Sequence, residues 1–77
     1  MTVTIYTTTT CPYCRMAKEF FKKNSVKYNE INVEKDPKAA EEMIEKSGQM
    51  GVPVIDINGK IIVGFDKNAI ERALHKA

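Results

Sequence analysis

The chain contains two cysteines, and they stand three residues apart in the segment Cys11-Pro12-Tyr13-Cys14. Proline favours the first position of a helix, because the N–H that it lacks would have no helical partner there. Cys11 is therefore predicted to be the N-cap, facing free N–H groups at the positive end of the helix dipole. Cysteines in such settings have pKa values lowered from about 8.5 to roughly 3.5–7.5, because the thiolate is stabilised more than the thiol.

The second cysteine follows one helical turn after the first. In a regular helix the Cβ atoms of Cys11 and Cys14 would lie about 5–6 Å apart on one face. A disulfide needs Cα atoms within about 4.4–6.8 Å, so a modest local adjustment allows this pair to close and reopen. The spacing predicts a reversible two-electron switch in which Cys11 attacks and Cys14 resolves.

Length and charge limit the alternatives. With 77 residues, of which 43% are apolar, the chain is expected to form one domain, residues 1–77, that is monomeric and compact. The net charge of +2 is well interspersed, which argues against a nucleic-acid partner. No apolar run approaches the ~20 residues of a membrane span, and the N-terminus lacks the layout of a signal peptide. We therefore expect a cytoplasmic protein, and in that reducing compartment a lone CxxC is catalytic or metal-binding rather than a structural staple.

The first half of the chain is predicted to be strand, helix, strand. Residues 3–7 are rich in β-branched side chains and predict a buried strand, whereas residues 26–33 carry polar side chains typical of an edge strand. The helix between them spans residues 13–24, and the strand–helix–strand unit implies parallel pairing with a right-handed crossover. Its apolar face is expected to contain Met16, Ala17, Phe20 and Phe21.

The second half is predicted to be helix, hairpin, helix. Asp36-Pro37 is a helix start and Gly48 a helix stop. Asn58-Gly59 favours a type I′ turn between strands at residues 52–57 and 60–63, and Asp66 is expected to cap the last helix. The core-facing residues of the two helices are predicted to be Ala40, Met43, Ile44 and Ser47 in one, and Ile70, Ala73, Leu74 and Ala77 in the other.

The order β-α-β-α-β-β-α predicts an α/β fold with a four-stranded mixed sheet and helices on both faces. With CPYC at the start of the first helix and Val52-Pro53 before the hairpin, it resembles the glutaredoxins, of the thioredoxin-like fold. The Ala17-Lys18 pair and the Gly64-Phe65-Asp66 segment are also similar to that family, and the resemblance covers nearly the whole chain.

The resemblance implies specific roles. Cys11 would be the exposed nucleophile and Cys14 the more buried resolving thiol of a thiol–disulfide oxidoreductase. Pro53 would be cis, and the Val52 backbone would bind a peptide or tripeptide beside Cys11. The substrate-binding residues implied by the family are Pro12, Tyr13, Val52, Pro53, Gly64, Phe65 and Asp66. No cofactor would be bound, and glutathione would serve as reductant or co-substrate.

Four departures from the family bear on substrate choice. Glutaredoxins that use glutathione usually carry a basic residue where this chain has Thr8, and Thr where it has Gly51. Their double glycine and double aspartate correspond here to Val63-Gly64 and Asp66-Lys67. Thr8, Val63 and Lys67 favour a protein-dithiol electron carrier, of the kind reduced by thioredoxin reductase, over a glutathione-specific enzyme.

Two other function classes remain open at this point. Two thiolates suit Cu(I), and an iron–sulfur cluster shared between two copies through Cys11 occurs among glutaredoxin relatives. The element order disagrees with that of small copper chaperones, and one histidine far from the cysteines does not complete a four-ligand zinc site. A non-enzymatic interaction domain with a vestigial site is the third possibility, against which the intact pair of cysteines stands.

Overall fold

The computed structural model describes residues 2–76, which form seven elements in the predicted order. These are β1 (Val3–Thr7), α1 (Pro12–Lys23), β2 (Asn29–Asn32), α2 (Pro37–Ser47), β3 (Val54–Ile57), β4 (Lys60–Val63) and α3 (Lys67–Lys76). The strands make one sheet in the order β2-β1-β3-β4. β1 pairs in parallel with β2 and antiparallel with β3, and β3 pairs antiparallel with β4. The mixed sheet, the parallel first pair and the edge position of β2 are therefore confirmed.

Two strands are shorter than predicted. The second begins at Asn29 rather than at Val26, because Val26 and Tyr28 pack against the core from the loop that follows α1. The Val26 N–H donates to the carbonyl of Phe21 and so belongs to the end of the helix. The third begins at Val54 rather than at residue 52, since Pro53 has no N–H to contribute to a ladder.

α1 and α3 cover one face of the sheet. The core on this side is formed by Val3, Ile5, Ala17, Phe21, Ile55, Ile57, Ile62, Ile70 and Ala73. The predicted faces of α1 and α3 are confirmed except at Met16, which is 46% exposed, and at Ala77, which lies outside the described residues. The buried stripe of α1 runs through Cys14, Ala17 and Phe21. Met16 is about 100° from Ala17 around the helix axis and further from the other two, so its side chain is turned away from this stripe.

α2 covers the opposite face, where Tyr6, Ala39, Met43 and Val54 are buried together. Met43 was predicted correctly, but Ala39 and not Ile44 accompanies it, and Ile44 is 36% exposed. The buried pair Ala39 and Met43 is spaced i, i+4, and this stripe turns Ile44 towards the rim of the sheet. Helices on both faces are thus confirmed.

The predicted helix ends and the hairpin turn are also present. Asp36 accepts a hydrogen bond from the Ala39 N–H at 3.1 Å, and Gly48 ends α2 with a left-handed φ of 75°. Asp66 accepts from the Ala69 N–H at 3.2 Å at the start of α3. Asn58 and Gly59 have φ values of 51° and 91°, as a type I′ turn requires. Among residues 2–76 we find no helix long and apolar enough to cross a bilayer.

Candidate active site

Cys11 is the N-cap of the first helix. Its backbone is extended (φ −112°, ψ 107°), Pro12 occupies the first turn, and the Cys11 Sγ accepts a hydrogen bond from the Cys14 N–H at 3.1 Å. The sulfur of residue 11 therefore faces the amide hydrogens at the positive end of the helix dipole. This geometry is the one predicted from the position of the proline.

The two cysteines differ in accessibility. Cys11 is half-buried, whereas Cys14 is 1% exposed on the buried face of α1. Their Cα atoms are 5.2 Å apart and the sulfurs are joined in a disulfide. Because one sulfur can be approached from solvent and the other cannot, an external reactant reaches the pair through Cys11.

Pro12 and Tyr13 form the exposed part of the helix start. Both side chains are open to solvent, and the ring of Tyr13 is 61% exposed. An exposed tyrosine presents a large, rigid and amphipathic surface at low cost in conformational entropy. These two residues are the ones that an approaching molecule meets next to Cys11.

A second segment with predicted site residues lies at the same end of the sheet. Tyr6, near the end of β1, is opposite Val54 at the start of β3, and Val54 is opposite Val63 at the end of β4. The Val52–Pro53 peptide bond is cis, as the family resemblance implied, and Pro53 is buried. The loop before β3, the loop after β4 and the cysteine loop after β1 therefore lie at the same end of the sheet.

The three residues after β4, Gly64 to Asp66, make contacts that stabilise the fold. The Gly64 N–H donates to the Pro53 carbonyl at 2.8 Å, which ties the two loops together. The ring of Phe65 packs edge-on against Phe20 of α1, with 6.1 Å between centroids, and the Asp66 carboxylate caps α3. Phe65 and Asp66 thus hold the loop and the third helix in place, while Val63 beside them is 50% exposed.

Sequence patterns did not indicate the role of Gln49. Its side-chain oxygen accepts from the Gly51 N–H at 2.7 Å, and its side-chain nitrogen donates to the Gly51 carbonyl at 3.0 Å. A Cβ at residue 51 would stand 2.7 Å from that oxygen, so a side chain at this position would displace the Gln49 amide from this contact. The contact holds the loop before Val52, and the intervening Met50 is 77% exposed.

Sequence patterns also missed a polar cluster that links β1, β2 and α1. The Thr7 hydroxyl donates to Glu30 Oε2 at 2.9 Å, and the Lys18 ammonium donates to the same oxygen at 3.0 Å. Partial burial acts to raise the pKa of Glu30, but hydrogen bonds from Lys18 and Thr7, with the charges of Lys18 and Lys22, hold it below the ordinary 4.5. Thr7 and Glu30 are 23 residues apart, and only the β1–β2 pairing brings them together.

Metal ligation was the main alternative for the cysteine pair. Within residues 2–76, no group of three or more His, Cys, Asp or Glu side chains is arranged to hold a metal ion. The only histidine, His75, is on α3, where it lines a shallow cleft with Phe20 and Leu74. Within the described residues of one chain, the candidate ligands for a soft metal are therefore the sulfurs of Cys11 and Cys14.

Comparison with known proteins agrees with this geometry. The glutaredoxin family model matches residues 3–62. A glutaredoxin-like 8.6 kDa protein encoded in the rubredoxin operon of Clostridium pasteurianum is 46% identical over 74 residues, which cover 96% of this chain and 99% of the relative. Glutaredoxin 3 of Escherichia coli is 41% identical over 64 residues, covering 83% of this chain and 77% of the relative.

The fold also matches that of a solved structure. The NrdH-redoxin of Escherichia coli, a glutaredoxin-like protein, superposes with a TM-score of 0.85 at 30% identity, covering 94% of this chain and 93% of the other. The element order, the sheet and the cysteine pair are therefore those of the thioredoxin-like fold. The chain belongs to the glutaredoxin family and is a thiol–disulfide oxidoreductase.

Proposed function

We propose that this redoxin is a dithiol electron carrier that reduces protein disulfides, with Cys11 as the attacking thiolate and Cys14 as the resolving thiol. The observation that carries the proposal is the hydrogen bond from the Cys14 N–H to the Cys11 sulfur, together with the burial of Cys14. An accessible sulfur at a helix N-terminus is stabilised as an anion, and the thiolate is the attacking species.

The reaction proceeds in two exchanges. The Cys11 thiolate attacks one sulfur of the substrate disulfide, which forms a mixed disulfide and releases the other substrate sulfur as a thiolate that takes a proton from water. The Cys14 thiol then gives its proton to water and its sulfur attacks the Cys11 sulfur. The bond between Cys11 and the substrate breaks, and the second substrate sulfur leaves as a thiolate that takes up a proton. The substrate gains two electrons and the protein retains the Cys11–Cys14 disulfide, which an external dithiol or two thiols reduce again.

The exposed residues around Cys11 are proposed to contact the substrate. Exposed apolar surface at this end of the sheet is contributed by Pro12, Tyr13 and Val63. The Val52 backbone precedes β3 and takes no part in its ladder, so it is proposed to bind an extended substrate peptide, with Pro53 beneath it. Gly64, Phe65 and Asp66 are proposed to support this surface through the loop contacts described above.

Three features favour a protein dithiol, such as that of a thioredoxin reductase, over glutathione as the electron donor. Thr8 brings no positive charge to pair with a glutathione carboxylate, and Lys67 lies over the Phe20 ring at 5.9 Å from its centroid. Val63 occupies a position where the family usually has glycine. The Escherichia coli NrdH-redoxin is described as having a thioredoxin-like activity profile, which supports the same choice. We propose that the reaction takes place in the cytoplasm and that the carrier acts as a monomer.

Cysteine variants test the mechanism directly. With a disulfide-containing protein such as insulin as substrate, Cys11→Ser is expected to lose activity, because no other accessible sulfur can attack. Cys14→Ser is expected to form the mixed disulfide and stop there, since the resolving thiol is missing. Non-reducing electrophoresis and mass spectrometry detect the trapped adduct.

Alkylation supplies the matching control. The rate of iodoacetamide reaction at Cys11 in the reduced wild-type protein is followed against pH, with the labelled residue identified by peptide mapping. We expect a midpoint below the value of about 8.5 for a free cysteine. A midpoint equal to that of free cysteine, or a mixed disulfide trapped on Cys14 in the Cys11→Ser variant, contradicts the proposed roles.

A further inference from the structure

The Thr7, Glu30 and Lys18 cluster joins β1, β2 and α1. Thr7 is fully buried at the end of β1, four residues before Cys11, and its hydroxyl donates to Glu30 Oε2. Glu30 is opposite Ile5 in the sheet register. Since alternate residues of a strand share a face, Ile5, Thr7 and Glu30 all face the side of the sheet that α1 covers.

Lys18 belongs to the same helical stripe as the two cysteines. Cys11, Cys14 and Lys18 are spaced i, i+3, i+7, which places them on one face of a helix. Long helical side chains point back towards the helix N-terminus, so the Lys18 side chain extends in the direction of the cysteines. Its ammonium ends 3.0 Å from Glu30 Oε2, and the ion pair is about two-thirds shielded from solvent, with side chains 29% and 38% exposed.

The charges facing Glu30 come from one helix. Lys18 and Lys22 of α1 act on the carboxylate through their charge, and Thr7 of β1 contributes a neutral hydroxyl. Glu30 therefore stays ionised at neutral pH, and its negative charge cancels that of Lys18 next to the cysteine stripe. Neither residue is needed to close the sheet or to cap the helix.

We propose that Glu30 and Lys18 are positioning residues that set the ionisation of Cys11: Glu30 holds the Lys18 ammonium in an ion pair and neutralises its charge. The thiolate is then stabilised by the helix N-terminus without help from a side-chain cation. This inference rests on the proposed attack by Cys11. Removing Glu30 leaves an uncompensated cation on the stripe, and removing Lys18 leaves an uncompensated anion.

The two single variants should therefore act in opposite directions. The midpoint pH of Cys11 alkylation is expected to fall by about 0.3–0.5 units in Glu30→Gln and to rise by a similar amount in Lys18→Met, as for one charge about a Debye length away. The double variant should return to the wild-type midpoint. Glu42→Gln is the control, because it removes one negative charge from an exposed position on α2, across the sheet.

The equilibrium with glutathione gives a second measurement. Stabilising the thiolate stabilises the reduced form, so the oxidised fraction at a fixed ratio of glutathione to its disulfide should fall in Glu30→Gln and rise in Lys18→Met, by roughly two- to threefold in the equilibrium constant. A purely structural tie would lower the free energy of unfolding in both variants without moving the midpoint in opposite directions.

The outcomes separate this inference from the proposed function. If wild-type Cys11 titrates below free cysteine but both single variants keep that midpoint, the cluster is only structural and the inference is wrong. If wild-type Cys11 titrates like free cysteine, the proposed function fails instead. Should Glu30→Gln not fold, Lys18→Met decides alone, since a higher midpoint supports the inference and an unchanged one overturns it.

Discussion

Two sulfurs separated by two residues are given different environments by the first turn of one helix. Cys11, outside the helix proper, receives an N–H and remains accessible, whereas Cys14, inside it, is turned into the core. The same covalent group can therefore serve as an attacking thiolate at one position and as a protected resolving thiol at the other. This asymmetry comes from the direction of the backbone N–H groups and from the burial of Cys14.

Thr8 provides a test of the proposed electron donor. Oxidised wild-type protein should lose its disulfide faster with NADPH and thioredoxin reductase than with glutathione. Thr8→Lys adds a cation where a glutathione carboxylate would approach, and an exposed ion pair of about 0.2–1 kcal/mol corresponds to roughly a 1.5- to fivefold higher kcat/KM for glutathionylated peptide. The gain should decline with added salt, because exposed charges are screened.

Thr2→Lys is the matched control for this substitution. Thr2 is exposed just before β1, at the end of the sheet opposite the cysteine loop, so it adds the same charge far from the site. An equal gain in both variants would attribute the effect to net charge. Faster reduction of the wild-type disulfide by glutathione than by the reductase would contradict the proposed donor.

At the scale of elements, α1 and α2 each bury a narrower stripe than their sequence patterns indicate. α2 presents neighbouring apolar residues, of which Met43 is 2% exposed and Ile44 is 36% exposed. Only contact with Tyr6 and Val54 on the sheet distinguishes them. The same holds for Met16 on α1, which the sheet leaves exposed.

Truncating these two neighbours measures the difference. Met43→Ala is expected to lower the free energy of unfolding by about 2–5 kcal/mol, because it removes buried atoms and leaves a cavity. Ile44→Ala should cost no more than about 1 kcal/mol, since the side chain is partly solvated already and alanine favours the helix. Urea denaturation of both variants gives the two values, and equal losses would contradict the orientation of α2.

At the scale of the whole molecule, two ion pairs fasten helices on opposite faces to the sheet. Lys18 of α1 binds Glu30 of β2, and Lys46 of α2 binds Asp56 of β3 at 3.1 Å and the Tyr6 hydroxyl at 3.0 Å. The hydrogen bonds to Tyr6 and Asp56 raise the pKa of Lys46 above its ordinary 10.5. The contribution of this raised pKa to the free energy of unfolding is complete below pH 10.5. It is lost as the pH rises through the pKa that Lys46 has in the folded chain.

The acidic side of the stability profile depends on Glu30. The pKa of Glu30 is lower in the folded chain than the ordinary 4.5. Its contribution to the free energy of unfolding is therefore present above pH 4.5 and is lost as the pH falls through the pKa of Glu30 in the folded chain. The difference in unfolding free energy between wild type and Glu30→Gln should therefore shrink from about pH 6 to about pH 3. Glu42→Gln, measured over the same pH range, controls for the loss of one exposed negative charge, and a constant difference for Glu30→Gln would contradict the ion pair.

The sequence alone determined the order of elements, the helix ends and the position of the reactive pair. These features depend on local chemistry: Pro12 at a helix start, Asp36 and Asp66 as caps, and Asn58-Gly59 in a turn. Each requires only a few neighbouring residues, so a linear pattern is enough to predict it. The cis bond before Pro53 was implied by the family resemblance rather than by the residues themselves.

The tertiary structure decided which side of each helix is buried and which distant polar groups meet. Met16 and Ile44 are apolar residues that the sheet does not cover. Helical periodicity shows which residues share a face, but it does not show how much of that face the sheet covers. The contact of Thr7 with Glu30 depends on the register of two parallel strands, which no local pattern encodes. A helix can therefore be located from its own residues, but its surroundings are set by chain segments far away in sequence.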